Sequence, residues 1–122
     1  MVISLYSIFG TGLVIQPDPA IVHVGDRVEW QFLYLQREGP PSSEQSDPFR
    51  FGPLKWMVYF RGEQPFGRNH DRELSSPVER GQRASITFGT AKDSGDYKYG
   101  VRLIAGDGEE ISDDDPLLIV RP

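Results

Sequence analysis

Few residues of this chain could do chemistry, and their spacing narrows the options further. There are two histidines, His23 and His70, and no cysteine, so thiolate metal sites, disulfides and a cysteine nucleophile are excluded at once. A two-histidine metal site would need His23, set among apolar residues, to meet His70, set in a polar stretch, with a carboxylate such as Asp71. The plainer expectation puts His23 on a strand face and His70 in solvent. Ser75 and Ser76 follow His70 and Asp71 closely, yet nothing around them has the form of a strained nucleophile elbow, so the sequence predicts no enzyme. The acidic run Asp107-Gly108-Glu109-Glu110-Ile111-Ser112-Asp113-Asp114-Asp115 carries enough oxygen for a calcium ion, which takes about six to eight ligands. Its spacing is not that of an EF-hand. A solvated hairpin turning at Asp107-Gly108 is the simpler reading, and acids beside the last strand would also discourage edge-to-edge pairing.

Aromatic residues give the other chemical signal. Trp30, Phe32, Trp56, Phe60 and Phe88 fall on the apolar phase of alternating segments and are expected in the core. Phe49, Phe51 and Phe66 instead fall in stretches rich in Pro, Ser, Gly and charge, beside Arg50, Arg61 and Arg68. Exposed aromatic and arginine side chains are the usual anchors of protein interfaces. Phe49, Arg50, Phe51, Phe66 and Arg68 therefore form the candidate partner-binding set, which Met57 and Tyr59 could extend. The competing reading has the same rings tuck the long loops back onto the body of the domain, and the sequence leaves both open.

The elements that must position these residues are strands. Val28, Trp30, Phe32 and Tyr34 alternate with charged or polar neighbours, and so do Leu54, Trp56, Val58 and Phe60, then Ala84, Ile86 and Phe88, then Tyr97, Tyr99, Val101 and Leu103. Turn signals separate them at Pro17-Asp18-Pro19, Gly25-Asp26, Arg61-Gly62, Gly81-Gln82, Ser94-Gly95 and Asp107-Gly108. No stretch of ten or more residues shows a helical period. With 122 residues the chain is expected to be one all-β domain, a Greek-key β-sandwich over residues 1–122 with long connections at about 36–53 and 62–80.

Charge excludes some partners. Of eighteen Asp and Glu, six lie beyond residue 103, and of thirteen Lys and Arg only Arg121 does, so the rest of the chain is balanced at twelve each and the net −5 sits in one segment. That leaves no basic footprint for nucleic acid or anionic lipid. The opening MVISLYSIFGTGLVIQ lacks a basic start and a small-residue cleavage site, and at 16 residues with Ser4, Ser7 and Thr11 inside it reads as a strand pair rather than a signal peptide or a membrane span. A soluble chain is expected, with its compartment open.

Several segments together resemble the cupredoxin family. Ile15-Gln16-Pro17-Asp18-Pro19-Ala20-Ile21-Val22-His23-Val24-Gly25-Asp26-Arg27-Val28-Glu29-Trp30 is similar to the family's opening, a proline and then a V-x-V-G-D-x-V-x-W run. Gly81-Gln82 with Ile86-Thr87-Phe88, then Ser94-Gly95-Asp96-Tyr97-Lys98-Tyr99, and finally Asp115-Pro116-Leu117-Leu118-Ile119-Val120 are similar to later segments. The resemblance implies a scaffold without its copper chemistry. Trp56 stands where the family has its first histidine, Val101 where it has the thiolate, and neither His nor Met follows Val101. An immunoglobulin-like sandwich is the second reading, with Trp56 as core tryptophan and Asp93-Ser94-Gly95-Asp96-Tyr97 as a tyrosine corner. The function expected is a non-catalytic binding or interaction module that uses no cofactor and contacts a protein partner or itself through its long loops. The alternative is a metal-binding protein, with calcium at 107–115 or copper or zinc at the histidines.

Overall fold

The computed structural model describes residues 1–8, 13–35, 49–79 and 81–122; most of the 36–53 connection therefore lies outside the described residues. Within them run ten strands: β1 (Val2–Ile8), β2 (Leu13–Gln16), β3 (Ala20–His23), β4 (Arg27–Leu35), β5 (Leu54–Phe60), β6 (Glu73–Val78), β7 (Arg83–Thr90), β8 (Gly95–Ile104), β9 (Glu110–Asp114) and β10 (Leu117–Arg121). One sheet has the order β2-β1-β4-β7, the other β3-β10-β8-β5-β6 with β9 beside β8. Two pairings are parallel, β1 with β4 and β3 with β10, and the rest are antiparallel.

The chain changes sheets at Pro17-Asp18-Pro19, because a proline has no N–H to extend a ladder and the strand must break there. β3 then pairs with the last strand, not with β4, which follows it. The two sheets form an all-β sandwich in which β1 beside β4 and β3 beside β10 run parallel. The tyrosine corner that suggested an immunoglobulin-like sandwich is present: the Tyr97 hydroxyl donates to the Asp93 carbonyl at 3.1 Å. It is a local device, and the strand order is not written in it.

The 62–80 connection is shorter than the sequence suggests, because β6 occupies 73–78. Its ELSSPV lacks a clean apolar phase because a serine, Ser76, sits between Leu74 and Val78 on the inward face, and among the described residues β6 pairs only with β5. An edge position is also where a strand tolerates a proline, here Pro77.

Alternating residues of both sheets meet in one hydrophobic cluster. Trp30 is its hub, with 0% of its surface exposed. The rings of Phe60, Phe66, Phe88 and Tyr99 surround it at centroid distances of 6.2, 6.4, 5.2 and 5.3 Å, all edge-on, the arrangement that aromatic quadrupoles favour.

Burial holds the Tyr99 hydroxyl well above its ordinary value of 10. The Trp30 indole N–H lies close enough to oppose part of that shift but forms no proper hydrogen bond with it. Below about pH 10 the folded and unfolded chains both keep this proton, so pH has no leverage through it. Above that, the unfolded chain releases the proton while folded Tyr99 retains it, and stability falls by about 1.4 kcal/mol per pH unit. Burial raises Tyr59 and Tyr97 in the same direction. Urea midpoints between pH 9 and 11.5 should therefore decline steeply in the native chain and less in Tyr99→Phe; equal slopes would show that Tyr99 does not carry the effect.

Candidate functional site

Three surface regions hold the residues singled out by the sequence. The first is the turn at 49–52, just before β5. Phe49 is half-buried and sets its ring edge-on to Tyr34 at 5.0 Å, which anchors the turn to β4. Phe51 points outward and is 53% exposed, the most exposed of the large apolar side chains described. The Arg50 guanidinium lies over its ring, 4.6 Å from the centroid, a cation–π contact that holds the pair together in water. Gly106 fits against the same turn: a Cβ there would come within 2.4 Å of the Phe51 carbonyl oxygen, so only glycine allows the two backbones to approach. The turn is thus fixed from both sides while its aromatic tip stays in solvent.

The second region is the segment between β5 and β6. Phe66 is a core ring, 4% exposed, packed on Trp30, Phe60 and Phe88, and this removes it from the candidate partner-binding set. The cause is local. The Phe66 N–H donates to Gln64 Oε1 at 2.6 Å, and the Lys92 N–H donates to the Pro65 carbonyl at 2.7 Å, so the segment is tied across the end of the sandwich with its ring turned in. His70 is not in solvent either. Its half-buried ring stacks on Phe88 at 5.3 Å, with Nδ1 2.8 Å from the Asp71 carbonyl and Nε2 against the Phe88 carbonyl. Arg68 and Asp71, on the same segment, are exposed. His23 ends β3 and is exposed, and its N–H donates to Asp26 Oδ2 at 2.8 Å. Among the described residues no three His, Asp or Glu side chains are grouped to hold a metal ion.

The third region is the acidic segment. It forms the second arm of a hairpin: Asp107 Oδ1 accepts from the Glu109 N–H at 3.0 Å, Gly108 takes the positive φ of 91°, and β9 runs back along β8. Its carboxylates face cations. Glu110 Oε1 is 2.8 Å from Arg102 Nε, Asp115 Oδ1 is 3.0 Å from Arg61 Nε, and Asp115 Oδ2 is 3.5 Å from Lys98 Nζ. Tyr59 sits in the middle. Its hydroxyl donates to Asp113 Oδ1 at 2.7 Å and accepts from Arg61 Nη2 at 3.0 Å, while the Arg61 and Arg102 guanidiniums lie 5.2 and 4.9 Å from its ring centroid. The ring lies across Gly100, where any Cβ would collide with it at 2.2 Å. Burial first, and the bond to Asp113 second, push the Tyr59 hydroxyl above its ordinary value. Exposed ion pairs of this kind are worth about 0.2–1 kcal/mol each, so the cluster orients β9 more than it stabilises the fold.

Sequence reasoning names Tyr59 only as an extension of a loop surface and misses this cluster. The signal available was the off-phase of β5 and β8: Tyr59 and Gly100 are directly opposed, as are Met57 and Arg102. That pairing needs the register. Trp56 and Val101, which stand where the resemblance would place copper ligands, are both wholly buried, and the Trp56 ring packs on Phe32 at 5.5 Å.

No protein-family model matches the chain, and no curated protein matches it either. Among solved structures, one of auracyanin B is similar over 99% of this chain and 88% of that one, with a TM-score of 0.49 and 12% identity, a likeness of fold alone.

Proposed function

We propose that this chain is a non-catalytic interaction module, a cupredoxin-like sandwich without blue-copper ligands that contacts a protein partner through the turn at 49–52. The observation that carries the reading is Phe51, a large aromatic ring left in solvent on a turn whose two flanks are fixed, by Phe49 on Tyr34 and by Gly106 against its backbone. A rigid exposed ring loses little entropy on binding, which is why aromatic anchors dominate interfaces. Arg50 beside it supplies the polar part of the contact. Phe49 packs behind this surface on Tyr34, while Phe66 belongs to the core on the segment after β5 and Arg68 lies on that same separate segment.

The absence of copper chemistry rests on the side chains themselves. The chain has no cysteine to supply a thiolate, and Trp56 and Val101 are wholly buried side chains that are not metal ligands. Retention of a partner from native extract at moderate salt tests the reading. A protein held by the native chain and lost with Arg50→Ala/Phe51→Ala, whose circular dichroism and melting temperature are unchanged, is the expected result. Equal retention by both would move the contact elsewhere on the molecule.

A further inference from the structure

We propose that two copies of this chain associate face to face through the outer surface of the β2-β1-β4-β7 sheet, away from the Phe51 turn, and exchange Glu29 and Arg83 across a two-fold axis. The outward residues of this sheet fall in rows across the strands. Ser4, Gln31 and Ser85 share the middle row; Leu33 and Arg83 stand in the next row on one side of it, Val2 and Glu29 in the next row on the other. Charge is scarce on this face. Glu29 and Arg83 are its charged residues, with Arg27 at the rim beyond the bulge at Val28/Glu29. Among the described residues neither Glu29 nor Arg83 has an ion-pair partner, whereas the outer surface of the other sheet pairs Arg61 and Lys98 with Asp115 and Arg102 with Glu110. Apolar surface is left in water here as well: Val2 is 44% and Val14 42% exposed. Few charges and some apolar surface are what the middle of a protein interface contains.

The register says why the occupant is a second copy. An isologous contact needs a surface complementary to itself, in which residue i meets j and j meets i. Glu29 and Arg83 stand on neighbouring strands, one on each side of the middle row, so the line that interchanges them runs nearly across the strands along that row. A two-fold axis on this line sets Glu29 of each copy against Arg83 of the other. It also brings Gln31 onto Gln31 and Ser85 onto Ser85, and an amide or a hydroxyl both donates and accepts, so each can bond to its own copy. The same operation carries Val2 of one copy to Leu33 of the other, apolar on apolar. The strands of the two copies then cross at a modest angle, as in stacked sheets. A partner of different sequence would have to supply this set afresh, whereas a second copy already holds it. Four short strands make a small face, so the dimer is a weak one.

Analytical ultracentrifugation of the full chain from about 10 μM to about 1 mM, the range in which a small interface associates, tests this with a charge exchange. The native chain should pass from monomer to dimer within that range. Glu29→Arg sets arginine against arginine and Arg83→Glu sets glutamate against glutamate, and each should weaken the dimer at least tenfold. Glu29→Arg/Arg83→Glu restores both pairs with their signs reversed and should return the dissociation constant to within about threefold of the native value. A native chain that stays monomeric at the highest concentration would overturn the proposal. So would single variants that dimerise like the native chain, or a folded double variant that does not recover. If a variant does not fold, dilution of the native chain followed by amide NMR shifts decides. The shifts of Ser4, Gln31, Leu33 and Ser85 should move together, while those of Met57 and Arg102 on the other outer surface stay fixed. Movement on that other surface, or on neither, would overturn the proposal equally.

Discussion

Trp30→Ala is expected to leave the chain largely unfolded at 37 °C. The indole is wholly buried and is the ring against which Phe60, Phe66, Phe88 and Tyr99 all pack, two of them from the opposite sheet. Removing a buried tryptophan costs about 3–5 kcal/mol through lost transfer energy and the cavity left behind. Lost edge-to-face contacts add about 0.5–1.5 kcal/mol for each pair that does not re-form. A domain of this size holds about 5–15 kcal/mol in all, so this one substitution consumes a large share of it. Trp30→Phe keeps a ring in the site and relieves an indole N–H that has no hydrogen-bond partner, so it should recover more than half of the loss. Urea denaturation of the three chains measures this directly. A Trp30→Ala midpoint within experimental error of the native value would mean that the aromatic cluster does not hold the sheets together.

The second large effect separates two phenylalanines that the sequence places in one class. Phe66→Ala should destabilise by about 3–5 kcal/mol, because its ring lies within 5.2–6.4 Å of Trp30, Phe60, Phe88 and His70 and is almost wholly buried. Phe51→Ala should change stability by no more than about 0.5 kcal/mol, the range for surface positions away from special contacts, since over half of that side chain already faces water. The ratio of the two effects is the test. Comparable losses would place Phe51 in the core as well and would remove the surface on which the proposed function rests. A small loss in both would instead free the segment between β5 and β6 and return Phe66 to the partner-binding set.

This contrast shows where the residues stop being informative. Phe51 and Phe66 both sit near arginine in polar, proline-containing stretches, and no periodicity distinguishes them. Their fates are decided by contacts made at a distance in sequence: Lys92 donates to Pro65 and turns the Phe66 ring inward, while Gly106 packs on the backbone of Phe51 and leaves its ring outside. His70 is a similar case. A polar loop histidine reads as solvated, yet Phe88, eighteen residues away, offers both a face to stack on and a carbonyl to its Nε2. β6 escaped notice for a different reason: its inward phase is Leu74, Ser76 and Val78, and a serine in the middle with Leu74 only half-buried leaves no apolar alternation to read.

The acidic hairpin lies between these extremes. Its turn at Asp107-Gly108 and its solvent exposure are legible, because a positive φ calls for glycine and a run of like charge cannot be buried. Which cations it meets is not legible, because Arg61, Lys98 and Arg102 become its neighbours only through the pairing of β5 with β8 and of β8 with β9.

By itself the sequence determined the material of the fold: period-two alternation decided which residues face inward on β4, β5, β7 and β8, the Pro17-Asp18-Pro19 break decided where a strand leaves its sheet, and the absence of cysteine removed thiolate chemistry. These are local properties, set by the dihedral limits and polarity of each residue and its immediate neighbours. Only the tertiary structure decided the strand order, the burial of Phe66 and His70, the exposure of Phe51 and the seating of β9 on its row of cations. Each of those depends on which distant segment completes a hydrogen-bond ladder or covers a ring, and that is a property of register and packing that no single stretch of chain contains.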